Sequence, residues 1–126
     1  MERRLITGHS PYEAVAGFSR AVVVGDRVHV AGTAPIPPDG SPPPEGAYEQ
    51  AALCLRIIGE ALGRAGSGLE HVVRTRLYVT SADHWPEVSR AHGEAFRDVR
   101  PAATCVVTQL LDPAWKVEIE AEAVLP

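Results

Sequence analysis

The stretch Lys116-Val117-Glu118-Ile119-Glu120-Ala121-Glu122-Ala123-Val124 decides how the rest of this chain is interpreted. Its odd positions from 117 to 123 are apolar, and its even positions from 116 to 122 are charged. A period of two is typical of a β-strand with one buried face, because successive side chains point to opposite sides of a sheet. The stretch therefore predicts a strand with one face in a core and a row of carboxylates on the other.

The preceding segment, Arg100–Leu110, also alternates and is rich in β-branched residues. The pair Asp112-Pro113 between the two segments is typical of a turn, because proline fixes φ and removes a backbone donor. We therefore predict two strands joined by a short connection.

Length and charge exclude several classes of protein. The chain has 126 residues, of which 45% are hydrophobic, enough for one domain with a core and too few for two. We expect a single domain over residues 1–126. The formal net charge is -4 at pH 7, whereas proteins that bind a phosphate backbone normally carry a basic patch. Nucleic acid is therefore not expected as a partner.

The sequence also lacks the usual signs of membranes and metals. No apolar run approaches the roughly 20 residues of a membrane-spanning helix, and no signal-peptide core follows Met1. We expect a cytoplasmic protein with no membrane partner. Cys54 and Cys105 stand alone, outside any Cys/His cluster, so we expect free thiols, no metal site and no cofactor.

The first third of the chain predicts β-structure. Arg3–Ile6 is typical of a short strand, and a turn or loop follows at residues 8–11. Residues 20–24 and 27–31, separated by Gly25-Asp26, predict a hairpin with a two-residue loop of type II′. In its second arm, one face carries Val28 and Val30 and the other carries Arg27, His29 and Ala31.

Residues 35–44 contain six prolines, which neither a helix interior nor a central strand accepts. We expect a stiff surface loop there. A proline-rich ligand for an SH3-like partner is the alternative.

Two helices and a strand are predicted in the middle of the chain. Ala47–Ala65 is amphipathic, and Gly66-Ser67-Gly68 ends it. A strand over 71–79 follows, with Val73, Thr75, Leu77 and Val79 on its inner face. The second helix runs from about 84 to 97, with Asp83 as N-cap and an inner stripe of Trp85, Val88, His92 and Phe96. His92 fits a packed or interface histidine better than a catalytic one, which remains the alternative.

The order of elements predicts an α+β fold with one mixed sheet and both helices on one of its faces. The other face would carry Arg27, His29, Arg74, Arg76, Tyr78, Cys105, Val107, Glu118 and Glu120. Such a face is too charged for a dry core, so we expect an oligomer that pairs its arginines with its glutamates and leaves clefts between subunits. A solvated open sheet is the alternative.

Five segments resemble the Rid family of reactive-intermediate deaminases, also called YjgF/UK114 or endoribonuclease L-PSP. They are residues 17–22 (GFSRAV), 30–35 (VAGTAP), 65–73 (AGSGLEHVV), 100–104 (RPAAT) and 117–121 (VEIEA). The resemblance covers nearly the whole chain in the same order. It implies a chorismate-mutase-like subunit with a mixed six-stranded sheet, assembled as a homotrimer with a small-molecule pocket at each subunit boundary.

The resemblance also implies a catalytic site. In the deaminating members, an arginine after the Pro-Ala pair grips the carboxylate of a 2-imino acid, and a glutamate on the last strand positions the attacking water. Ala103 stands at the arginine position here, and Glu118 retains the glutamate. Phe18 replaces a usual tyrosine and Ala31 a usual serine.

The candidate site therefore has Glu118 as its catalytic residue. Its candidate ligand-binding residues are Phe18, Ala31, Gly32, Ala103, Cys105, Arg76 and His92. Because three polar contacts have become apolar, the pocket suits a neutral or cationic ligand, unless Arg74 or Arg76 turns into it.

Three functions remain open at this point. The first is hydrolysis of a reactive imine or enamine, with Glu118 orienting the water. The second is a small-molecule-binding trimer without turnover, acting as a sensor or scavenger. The third, ribonuclease activity or translation inhibition, is disfavoured because the chain is acidic and lacks a basic groove with stacking aromatics.

Overall fold

In the computed structural model, which describes residues 2–126, a mixed six-stranded sheet carries two long helices on one face. The elements are β1 (Arg3–Ile6), α1 (Tyr12–Ala16), β2 (Ala21–Val24), β3 (Arg27–Thr33), α2 (Ala47–Arg64), β4 (Val72–Val79), α3 (Trp85–Ala95), β5 (Ala102–Val107) and β6 (Val117–Val124). Short 3₁₀ turns at Leu69–His71 and Ala82–His84 precede β4 and α3. The predicted α+β class and six-stranded sheet are confirmed.

The last strand lies in the middle of the sheet. The strand order is β1-β2-β3-β6-β4-β5, and β6 pairs antiparallel with both β3 and β4. Its four alternating apolar residues Val117, Ile119, Ala121 and Ala123 are at most 2% exposed. The alternation in the sequence therefore marks the strand on which the core is built.

The two C-terminal strands do not pair with each other. Residues 108–116 connect them as predicted, but β4 lies between β5 and β6. β5 instead pairs in parallel with β4, and α3 provides the crossover that a parallel pair requires. β5 is thus an edge strand.

This parallel register corrects the prediction for Cys105 and Val107. Cys105 pairs with Leu77 and Val107 with Val79, and paired residues share a face of the sheet. Both side chains therefore project to the side of the helices, where Cys105 packs against the core. Val106, which pairs with Tyr78, projects from the open face.

A bulge in β4 corrects the prediction for Val73. The register with β6 shifts between Val72 and Arg74. As a result Val72 is buried, whereas Val73 is 42% exposed. Thr75, Leu77 and Val79 are buried as predicted, because a bulge changes the face only of residues beside it.

The first long helix ends as the glycines predict. Gly66 has a φ of 91°, its N–H donates to the Gly63 carbonyl at 3.1 Å, and the Ser67 N–H donates to the Leu62 carbonyl at 2.8 Å. These two bonds form a Schellman motif. Gln50, outside the predicted apolar stripe, is buried because its amide bonds the backbone of Pro44, Ala114 and Lys116.

The second long helix differs from the prediction at its start. Its N-cap is His84 and not Asp83, and His84 makes no side-chain capping bond. The Ser81 hydroxyl caps the preceding 3₁₀ turn, where it accepts from the Asp83 N–H at 3.1 Å. Trp85 is exposed, and Ala91 takes its place on the inner stripe.

The five-residue helix α1 was not predicted, because it is too short for a period of 3.6 to be visible.

The open face of the sheet carries the predicted charges. Arg76 Nη1 lies 3.3 Å from Oε1 of Glu122, and the Tyr78 hydroxyl donates to Glu120.

Within residues 2–126, no helix is long and apolar enough to cross a membrane.

The hairpin loop generates a first prediction. Gly25 has a φ of 59°, a conformation that a β-branched residue adopts only with strain. We expect Gly25→Val to lower the free energy of unfolding by about 1 kcal/mol or more, measured by urea denaturation. Asp26→Val is the matched control, because Asp26 has a negative φ. Equal effects of the two substitutions would refute the assigned loop geometry.

Candidate functional site

A cavity of about 260 Å³ opens at the end of the sheet where β3 ends and β6 begins. Four residues that the sequence proposed for the site line it, namely Phe18, Ala31, Gly32 and Glu118. The other predicted ligand-binding residues, Ala103, Cys105, Arg76 and His92, do not. The cavity therefore gathers one half of the predicted site.

Glu118 is the carboxylate of this cavity. It lies between buried Val117 and Ile119, so that its side chain projects from the face opposite the core. Burial raises the pKa of the Glu118 carboxyl, Arg20 partly opposes this rise, and Glu120 adds to it. A carboxyl group with a raised pKa can accept and return a proton near neutral pH more easily than an ordinary glutamate.

Gly32 provides the space for this carboxylate. The register between β3 and β6 shifts between Val30 and Thr33, and Gly32 lies in this irregular segment. A Cβ atom built on Gly32 would overlap with Oε2 of Glu118. Glycine at this position thus allows the carboxylate to approach the backbone closely.

Arg20 is the residue of the site that sequence reasoning missed. It is 7% exposed, lines the cavity, and donates from Nη2 to the Gly32 carbonyl at 2.6 Å. Burial lowers the pKa of the guanidinium, and the Glu13 and Glu118 carboxylates oppose this change. The sequence signal for this residue is a lone arginine at the start of the apolar run at 21–24, in the first arm of the predicted hairpin.

An apolar wall faces these charged groups. The rings of Tyr12 and Trp115 pack edge to face, with centroids 6.4 Å apart. Phe18 and Leu111 extend the wall, and Leu111 is 92% exposed. The cavity thus joins an acid and a cation at one end to an apolar rim.

Three of the remaining predicted residues lie together beside β5. His92 Nε2 is 2.8 Å from Thr75 Oγ1, and Thr75 pairs with Ala103 in the sheet. Cys105 is two residues further along the same strand and face. The His92 ring also packs against Phe96, and burial lowers the pKa of His92, which favours the neutral ring. These contacts fit the packed histidine that the sequence favoured.

A single chain cannot bring Ala103 and Glu118 to one ligand. β4 separates their strands, which places the two backbones roughly 10 Å apart across the sheet. Their side chains also project from opposite faces, because Ala103 pairs with buried Thr75, whereas Glu118 pairs with Tyr78 of the open face. The predicted site residues therefore lie in two separate groups, which we call half-sites.

Arg74 and Arg76 belong to neither half. Both lie on the open face, where Arg76 pairs with Glu120 in register and contacts Glu122. The arginine that lines the cavity is Arg20. In the described part of the chain, no group of three or more His, Cys, Asp or Glu side chains could hold a metal ion.

Known proteins are similar to this chain in sequence and in fold. The model of the family described as endoribonuclease L-PSP matches residues 7–125. An uncharacterized protein of Streptomyces coelicolor is 40% identical over 127 residues, which cover 96% of this chain and 90% of that protein. A 2-iminobutanoate/2-iminopropanoate deaminase of Capra hircus is 29% identical over 97% of this chain and 90% of its own length.

A solved structure is similar to this chain over nearly its whole length. A member of the YjgF/YER057c/UK114 family from Mycobacterium tuberculosis superposes with a TM-score of 0.89 at 41% identity. The match covers 98% of this chain and 100% of that chain.

The approach of Gly32 to Glu118 generates a prediction. In Gly32→Ala the new methyl group should displace the carboxylate toward solvent, which lowers the pKa of Glu118 toward the usual value of about 4.3. The overlapping atom ends a flexible side chain, so we expect stability to change by less than about 1 kcal/mol. NMR titration of the Glu118 carboxyl carbon measures the shift.

Gly93→Ala is the control, because no atom lies within 4 Å of a Cβ at that position. A folded Gly32→Ala protein with the native Glu118 pKa would contradict this account of the glycine.

Proposed function

Since the chain belongs to the endoribonuclease L-PSP family, also called the YjgF/YER057c/UK114 or Rid family, we propose that it hydrolyses a reactive imine or enamine. The observation that carries this proposal is Glu118, a partly buried carboxyl with a raised pKa held against Gly32 in a cavity. The deaminase name of several relatives supports the same chemistry.

The proposed reaction requires one water and one group that moves protons. The Glu118 carboxylate orients a water and accepts its proton while the oxygen attacks the imine carbon. The C=N double bond becomes a C–N single bond, and Glu118 returns the proton to the nitrogen, which gives a carbinolamine. Glu118 then transfers the hydroxyl proton to the nitrogen, the C–N bond breaks, ammonia leaves, and a carbonyl group remains.

We further propose that a second copy of the chain completes the site. The half-site at Ala103 and Cys105 lies on edge strand β5, whose backbone is unpaired on one side within residues 2–126. The charged open face, with Arg74, Arg76 and Glu120, gives the subunits a surface of both signs to pair. A homotrimer with a pocket at each boundary would join the two half-sites three times.

A binding protein without turnover is the second candidate, and particular residues favour it. Ala103, Phe18 and Ala31 supply no hydroxyl or cation, so that substrate would be held by fewer polar contacts than in the deaminating members. Glu118→Ala separates the two functions. We expect it to reduce hydrolysis of 2-iminopropanoate to the uncatalysed rate, whereas a native rate equal to the uncatalysed one would support the binding protein.

Position 103 generates a prediction about rate. Truncation of one partner of a buried charge-assisted pair costs about 2–5 kcal/mol, or a factor of tens to thousands in affinity. We therefore expect slow hydrolysis of 2-iminopropanoate by the native protein, and a kcat/KM at least ~10-fold higher in Ala103→Arg. Rates are measured on imine generated in situ from its enamine.

The double variant Ala103→Arg with Glu118→Ala is the control, and its rate should fall to background. If Ala103→Arg folds and gives no gain, the edge of β5 does not face the ligand, and the shared site is wrong.

Assembly generates a separate prediction. Sedimentation velocity at micromolar concentration should give a species with three times the mass of the 13.5 kDa chain. Replacing Val106 on the open face by Asp should weaken this species, because burial of the new carboxylate between subunits costs free energy. A stable native monomer would contradict the shared site.

A further inference from the structure

We infer that Arg20 is the anion-binding residue of the cavity, and that the ligand is a carboxylate with a bulky apolar substituent. This inference rests on the pocket of the proposed function and names its substrate class. It differs from the expectation of a neutral or cationic ligand, which was based on the apolar residues at positions 18, 31 and 103.

The first argument is the hydrogen bonding of the guanidinium. Arginine has five N–H donors. Within residues 2–126, one N–H of Arg20 donates to the Gly32 carbonyl. Nε of Arg20 is buried without a partner in the described part of the chain. Buried donors in native proteins are nearly always satisfied, by protein, water or ligand. A carboxylate, with two acceptor atoms in a plane, matches the remaining donors.

The second argument is that the nearby carboxylates do not take these donors. No ion pair within 4.0 Å involves Arg20 in the part of the chain that the structure describes. Both carboxylate oxygens of Glu13 instead accept from the Gly8 N–H, at 3.0 and 3.2 Å. The guanidinium is therefore free to bind an anion that enters the cavity.

The third argument is the shape of the cavity beyond Arg20. Its volume of about 260 Å³ is near the lower end of small-molecule pockets, which favours a ligand of amino-acid size over a nucleotide cofactor. The rings of Tyr12 and Trp115, with Leu111 at the rim, offer an apolar wall to a side chain. A ligand with a carboxylate at one end and an apolar group at the other would contact both.

Two ketones that differ in one group test the charged contact. Phenylpyruvate and phenylacetone share a skeleton, but phenylacetone has a methyl group in place of the carboxylate. We expect calorimetry at pH 7 to show that the native protein binds phenylpyruvate at least tenfold more tightly than phenylacetone, and more tightly than pyruvate. Equal binding of phenylpyruvate and phenylacetone would overturn the role of Arg20, and equal binding of phenylpyruvate and pyruvate would overturn the apolar preference.

Variants assign the contact to a residue. Arg20→Gln should bind phenylpyruvate and phenylacetone with about equal affinity, because the affinity for phenylpyruvate falls to that for phenylacetone. Arg20→Lys should keep part of the preference for phenylpyruvate. Arg56→Gln, which removes an exposed arginine from α2 outside the cavity, is the matched control and should keep all of it. A preference that survives Arg20→Gln, or disappears in Arg56→Gln, would overturn the inference.

A crystal structure of the native protein with phenylpyruvate keeps the test decisive if Arg20→Gln does not fold. The carboxylate should lie within hydrogen-bonding distance of Arg20, and a carboxylate bound elsewhere would overturn the inference. None of these measurements involves turnover. The binding measurements can therefore contradict the role of Arg20 while Glu118 remains catalytic. Conversely, the rate measurements can contradict the role of Glu118 while Arg20 still binds the carboxylate.

Discussion

The pairing of β6 with β3 on one side and β4 on the other is the interaction on which the rest of the structure depends. A strand in the middle of a sheet leaves no backbone group unpaired, so its side chains alone decide what covers each face. The apolar face of β6 is covered by α2, and its carboxylates lie opposite arginines and tyrosine of β4. The same strand thus builds the core and presents the acid of the candidate site.

The candidate site depends on an irregularity in this pairing. Between Val30 and Thr33 the register with β6 shifts, and the Gly32 carbonyl becomes the acceptor for Arg20, while the missing side chain leaves space for Glu118. One residue therefore positions both the acid and the cation. Bulges are frequent beside functional sites because they redirect side chains without unfolding the sheet. The backbone, more than any single polar contact between side chains, fixes the geometry of this cavity.

The predicted site residues form two separate groups within one chain, and the proposed homotrimer would give this separation a chemical meaning. Ala103 and Cys105 lie on an edge strand and on the face of the helices, whereas Glu118 lies on a central strand and on the open face. An edge strand can take a further partner, and a face with both arginines and glutamates can match a copy of itself. A change at position 103 would then alter the pocket of a neighbouring subunit, while Arg20 acts within its own.

By itself the sequence determined the α+β class, the two long helices, the hairpin and the inner face of β6, because periodicity and turn chemistry are local properties. It also identified Phe18, Ala31, Gly32 and Glu118, which the structure brings together. Only the tertiary structure decided that Cys105 turns toward the helices, since the face of an edge strand depends on the register with its neighbour. Only the tertiary structure placed Arg20 in the cavity, because the cavity joins the β2–β3 hairpin to Glu118 of β6, and the pairing of strands so distant in sequence is not a local property.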